Sequence, residues 1–178
     1  MGKADWVSPD VFGHILFALT HENKLAIITS LTTGLRISDV LSLRTCELKE
    51  RFTITEQKTL KHRKVRLSPA LLDDLLKIAG KIYVFEHRTD PRRHRTRQAV
   101  YKDIKRACKL FRVTLNVTTH TARKMYSVTE YKRTCDIKRV QELLNHSSEA
   151  VTMIYALADE LTEREATEKQ KQFLKPEQ

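Results

Sequence analysis

The feature that most restricts the fold is a local change of hydrophobic period inside an otherwise helical sequence. "FTITEQ", starting at Phe52, alternates apolar and polar residues, and "KVRLS" alternates again after "KTLKHR". A period of two marks a half-buried strand, so this patch predicts one short antiparallel hairpin. Elsewhere the spacing is helical. "VSPDVFGHILFAL" offers Ser8 as N-cap, Pro9 at the first helical position, and Phe12, Ile15, Leu16 and Leu19 at helical spacing. "ENKLAIITSLTTG" predicts a helix that stops at Gly34, and Ser38 opens a third carrying Val40, Leu41 and Leu43. Ser68-Pro69 restarts helix through Leu71, Leu72, Leu75, Leu76 and Ile78, and "KIYVFEHR" predicts a brief strand. From Arg97 onward the pattern is helical. The polar stretch "EHRTDPRRHRTRQ" reads as a basic surface loop, because the hairpin and helix before it are too small to fold alone. The expected class is mainly α (α+β): one domain over 1–178, with a core at about 9–158 and a charged tail helix at 159–178.

Charge narrows the partner. The 178 residues carry 33 Lys+Arg against 22 Asp+Glu, a net +11, which favours a polyanion and most often nucleic acid. No basic amphipathic helix with aromatic anchors supports a membrane surface instead. No apolar run approaches a spanning length, and "MGKADWVSPD" lacks the core of a signal peptide, so a cytoplasmic location is expected. Cys46, Cys108 and Cys135 are far apart and form no metal-binding spacing; they read as structural or incidental thiols.

Several polar positions stand out. "TGLRISDVLSL" sets Arg36 two residues after Gly34, with Asp39 close enough to hold its guanidinium; a planar fork of donors suits phosphate. A surface ion pair is the bland alternative. In "ITEQKTLKHRK", Lys58 shares the parity of Phe52 and Ile54 and should lean towards the protein body. Lys61, His62, Arg63 and Lys64 are alternatives expected to point into solvent. "HTARK" places His120 and Arg123 side by side on one helix face, a pairing that gains nothing by packing and makes sense if both address an anion. In "LLNHSSEAVTMIY", nine residues of unbroken helix would set His146 and Tyr155 roughly 13 Å apart on opposite faces. A break at Ser147-Ser148, with serine capping a new helix, lets the two approach.

As an ordered set, these residues resemble the catalytic domain of the tyrosine recombinases, the phage-integrase family, from about Pro9 to about Tyr155. The resemblance implies Arg36 and Arg123 as the catalytic arginines and Lys58 as the hairpin lysine, with Lys61 as its alternative. His120 and His146 become the site histidines, Tyr155 the nucleophile, and Asp39 a supporting acid. Two positions depart from the family pattern: Asn145 and Leu60 stand where glycine is common. Members also usually carry a separate helical DNA-clamping domain first, whereas almost nothing precedes Trp6, so a fragment or a catalytic-domain-only protein is expected.

The resemblance further implies double-stranded DNA as partner, four protomers on it, an origin in a bacterial, phage or mobile element, and a 3′-phosphotyrosine intermediate needing neither metal nor ATP. The acidic pairs Asp73-Asp74 and Asp159-Glu160 are adjacent, and a helix would point them apart, unlike a two-metal nuclease site. Arg92, Arg93, Arg95, Arg97 and Lys124 are the expected contacts to the DNA backbone. The tail is expected either to pack on its own domain or to dock on a neighbouring protomer. Competing readings are a type IB topoisomerase and a non-catalytic DNA-binding regulator that retains the fold.

Overall fold

The structure is a computed structural model, and it describes Asp5 and residues 7–144. It comprises two compact units, residues 1–126 and 127–178. The first contains α1 (Pro9–Ala18), α2 (His21–Thr33), α3 (Ile37–Leu41), a 3₁₀ turn at Thr45–Glu47, β1 (Arg51–Thr55), β2 (His62–Arg66), α4 (Pro69–Ile78) and α5 (Arg97–Leu110). The next helix, α6 (Thr119–Thr134), begins in the first unit and ends in the second, which also holds α7 (Ile137–Leu143). None of the described helices is long and apolar enough to cross a membrane. The expected mainly helical architecture with one small antiparallel sheet is what the chain adopts.

Helix boundaries follow local chemistry. Ser8 accepts from the Val11 N–H at 3.4 Å and Ser68 from the Leu71 N–H at 3.3 Å, each ahead of a proline that has no N–H to orphan. Thr96 caps α5 in the same way through the Ala99 N–H at 3.1 Å. Helix α2 stops at Gly34, whose φ of 68° is the left-handed conformation that closes many helices. The third helix starts one residue earlier than Ser38: Arg36 takes the extended N-cap position and its carbonyl accepts from Asp39 and Val40. In the second unit, α6 ends on Cys135 with a φ of 52°, and Asp136 caps α7 through the Arg139 N–H at 3.1 Å.

The expected hairpin forms, its register setting Phe52 opposite Val65 and Ile54 opposite Arg63. The ladder continues one rung past the strands, Glu56 N–H donating to the Lys61 carbonyl at 3.0 Å. The turn is completed by Leu60 N–H on the Glu56 carbonyl at 2.8 Å, with Leu60 at φ 55°. That left-handed backbone explains why glycine suits this position, and here a leucine bears the strain. The strand expected in "KIYVFEHR" is replaced by isolated bridges, Arg44 with Tyr83 and Glu86 with His94. Each bridge uses a different partner, so no ladder can propagate.

A continuous apolar core in the first unit is built from Phe12 and Ile15 of α1, Leu25, Ala26 and Ile27 of α2, Val40 and Leu41 of α3, Leu71 and Leu75 of α4, Val100 and Ile104 of α5, and Phe85 between α4 and α5. One buried acid ties distant elements together. Asp103 Oδ2 accepts from Thr20 N–H at 2.9 Å, Thr20 hydroxyl at 3.0 Å and Asn23 Nδ2 at 2.7 Å, so α5 caps the start of α2. Burial works against its charge, but these donors and Arg106 outweigh burial and hold the carboxyl below its ordinary range. Its stabilisation is therefore present above the unfolded aspartate pKa and is lost as pH falls through the lower folded value. Asp103→Ala is expected to reduce stability by roughly 2–3 kcal/mol at pH 7, with a smaller difference in acid, measured by urea denaturation at several pH values.

Candidate active site

The C-terminus of α2 organises the polar centre. Its last carbonyls carry the negative end of the helix dipole and lack intrahelical partners, so cations gather there. Arg123 of α6 donates Nη1 to the Gly34 carbonyl at 2.6 Å. Arg63 of β2 donates Nη2 to the Thr33 carbonyl and Nη1 to the Gly34 carbonyl at 3.4 Å. Arg36 lies just past the same helix end and reaches the hairpin instead: its Nη1 donates to Glu56 Oε2 at 2.6 Å. Arg63 Nη1 meets the other Glu56 oxygen at 3.3 Å. Asp39 of α3 accepts Gln57 N–H on Oδ1 at 3.0 Å, while its buried Oδ2 has no hydrogen-bond partner among the described residues.

Among the described residues three guanidiniums thus face two carboxylates in one electrostatic neighbourhood, with an excess of one positive charge if both acids are ionised. The pKa of Arg123 reflects its burial first and that excess second. Burial pushes it down to about 10, repulsion from Arg36 and Arg63 adds to the shift, and Glu56 and Asp39 only partly oppose it. Asp39 is pushed above the ordinary carboxylate range, chiefly by burial; the Gln57 hydrogen bond and the two arginines pull back, while Glu56 adds to the rise. A site with this imbalance is relieved by an incoming anion. The Arg36 side chain remains 12% exposed, so it opens to the surface.

Lys58 and His120 are both exposed. Lys58 does not lean into the body as its parity suggests, because strand geometry ends first: Glu56 takes the inward position and the chain then turns. The turn is nonetheless bound to the polar centre through Gln57 and Thr59, whose hydroxyl donates to Glu56 Oε2 at 2.9 Å. His120 lies in the first turn of α6, its N–H on Thr118 Oγ1 at 3.1 Å, one turn before Arg123. Thr121 reciprocates by accepting the Thr118 N–H at 3.1 Å, which sets the start of the helix that carries both residues. His146 and Tyr155 lie outside the described residues. Among the described residues no group of three or more His, Cys, Asp or Glu side chains gathers in a way that could hold a metal ion.

Two site residues escaped the sequence reading. Glu56 was not singled out, although it continues the inward series of Phe52 and Ile54. Arg63 was expected in solvent, yet it is only 8% exposed. Its register opposite Ile54 is the signal that points it inward. Among the basic residues expected on DNA, Arg92, Arg93 and Arg97 are exposed. Two others are corrected. Arg95 turns towards Glu22 at 3.7 Å and Asn23 at 3.3 Å, and Lys124 is buried at 5% because it sits on an inward face of α6.

The model of the phage integrase family matches residues 7–161. A probable integrase/recombinase, YoeC, from Bacillus subtilis (strain 168) is 33% identical over 157 residues, 83% of this chain and 86% of that protein. A tyrosine recombinase from Thermosipho africanus (strain TCF52B) is 30% identical over 163 residues, 85% of this chain but 56% of that longer protein. Among solved structures, the catalytic domain of bacteriophage HP1 integrase superposes with a TM-score of 0.65 at 22% identity, covering 86% of this chain and 88% of that one. A lambda integrase (75-356) dimer bound to a COC' core site gives 0.70 at 19% identity, covering 86% and 60%. At such identities the structural likeness speaks to the fold alone, whereas the family model and the B. subtilis relative span most of the sequence. The chain therefore belongs to the phage integrase family and carries the catalytic domain of a tyrosine recombinase.

Proposed function

We propose that this chain is a site-specific DNA recombinase that cleaves and rejoins strands through a 3′-phosphotyrosine intermediate. The observation that supports it most is the convergence of Arg36 and Arg123 around the end of α2 with an excess of positive charge, beside the turn bearing Lys58. In this reading the Tyr155 oxygen bonds to the phosphorus of a DNA phosphodiester as the bond to the 5′ oxygen breaks. The phenolic proton passes to His120 as base, and the departing 5′ oxygen takes a proton from Lys58 and leaves as a hydroxyl. Arg36, Arg123 and His146 donate to the non-bridging oxygens as charge grows there, each worth about 10²–10³ in rate by analogy with other oxyanion donors. The phosphoester survives as a covalent link, so religation needs no ATP. Arg92, Arg93 and Arg97 contact the duplex backbone. Four protomers act together on two duplexes, by analogy with a lambda integrase tetramer solved on a Holliday junction.

A duplex nicked close to the scissile phosphate tests the proposal, since loss of the short fragment prevents religation. The expected result is a protein–DNA adduct stable to denaturant, with the protein on the 3′ phosphate, formed equally in EDTA and without nucleotide. A chain that retards the duplex but never forms the adduct is a DNA-binding regulator, and the proposal falls.

A further inference from the structure

Glu56 is completely buried, and a carboxylate leaves water only when its charge is matched by partners. Two of them among the described residues are cationic, and they come from different places: Arg36 beyond α2 on Oε2 at 2.6 Å, Arg63 from the opposite strand on Oε1 at 3.3 Å. The same Oε2 accepts the hydroxyl of Thr59, the residue directly after Lys58, at 2.9 Å. The residue directly before Lys58 is tied as well, Gln57 N–H to Asp39 at 3.0 Å. We infer that Glu56 is a positioning residue that holds Arg36 and the Lys58 turn in fixed register. This rests on reading the site as a DNA-cleaving one.

The physical reasoning is mechanical. Lysine is a long, flexible side chain, so where its ammonium can reach is set by where its backbone is anchored. Here the anchors on both sides are carboxylates that also neutralise the arginines. The proton donor and the charge-stabilising arginine therefore move as one body. Arg63, clamped to the carbonyls of Thr33 and Gly34, holds Glu56 on the inner side of Arg36. From there the carboxylate meets Nη1 of Arg36.

The test uses the nicked duplex in two forms, with either oxygen or sulfur bridging the scissile phosphorus to the 5′ carbon. A thiol has a pKa near ~8.5 and departs without a proton, so the sulfur duplex bypasses the acid. Glu56→Gln is expected to slow adduct formation on the oxygen duplex by about 10²-fold, as a misplaced group does, and on the sulfur duplex by less than about tenfold. Thermal melting and duplex affinity report whether the variant is folded. Should Glu56→Gln fail to fold, Thr59→Val decides: it removes one donor, and about fivefold is expected on oxygen with under about twofold on sulfur. Equal losses on both duplexes, in whichever variant is folded, overturn the inference alone. A wild-type chain that forms no adduct with either duplex overturns the recombinase reading and this inference with it.

Discussion

Replacing Tyr155 with phenylalanine will eliminate the covalent DNA adduct while leaving duplex affinity within about twofold. The change deletes a single oxygen, the one atom proposed to bond to phosphorus. At neutral pH only about one phenol in a thousand is ionised at an unperturbed pKa near ~10, so the tyrosine depends on its surroundings. In the proposed site the cluster of Arg36, Arg63 and Arg123 would supply a field of the right sign; repulsion from Arg36 and Arg63 adds to the burial that draws Arg123 down to about 10. Affinity should persist because phosphate contacts by exposed arginines dominate binding, and the slope of log affinity against log salt should match wild type. Denaturing gels with the nicked duplex, alongside a salt titration, check both halves. An adduct in Tyr155→Phe would show that another residue is the nucleophile.

Gly34→Ala will damage both stability and chemistry. Gly34 sits at φ 68°, and a Cβ there would lie 2.4 Å from two carbons of the Tyr126 ring. A left-handed alanine costs about 1–2 kcal/mol, and displacing the ring adds about 1–3 kcal/mol. A total near 2–5 kcal/mol corresponds to a fall in Tm of about 4–20 °C for a chain this size. The same residue supplies the carbonyl that holds Arg123 at 2.6 Å and contacts Arg63, so adduct formation should drop by about 10²-fold even below the melting range. Gly13→Ala is the matched control. It is mid-helix in α1 with nothing within 4 Å of the added carbon, and should stabilise by about 0.5–1 kcal/mol with unchanged cleavage. Calorimetry and single-turnover cleavage on both variants decide the matter.

Much of the fold was legible because its signals are local. Serine before proline starts α1 and α4, glycine ends α2, and alternation marks the hairpin; each acts within a few residues. Misreadings occurred where local rules compete. Arg36, not Ser38, opens α3, and the single bridges of Tyr83 and Glu86 took the place of an expected strand. The turn geometry that removed Lys58 from the inward row begins one residue after Glu56, a boundary that alternation alone does not mark.

By itself, the order of residues along the chain determined the helical class, the hairpin, the basic character, and the family, through the ordered series from Arg36 to Tyr155. Only the tertiary structure decided which charges lie inside. Arg63 is buried because carbonyls 29 and 30 positions earlier receive it, and Arg123 is half-buried where one 89 positions earlier does. Glu56 is buried because both Arg36 and Arg63 reach it, while Lys124 is buried and Arg95 half-buried against Glu22 where composition had placed both on the surface. The reason is that an apolar side chain is buried by its own chemistry, but a charge leaves water only when partners from distant segments are already in place to meet it.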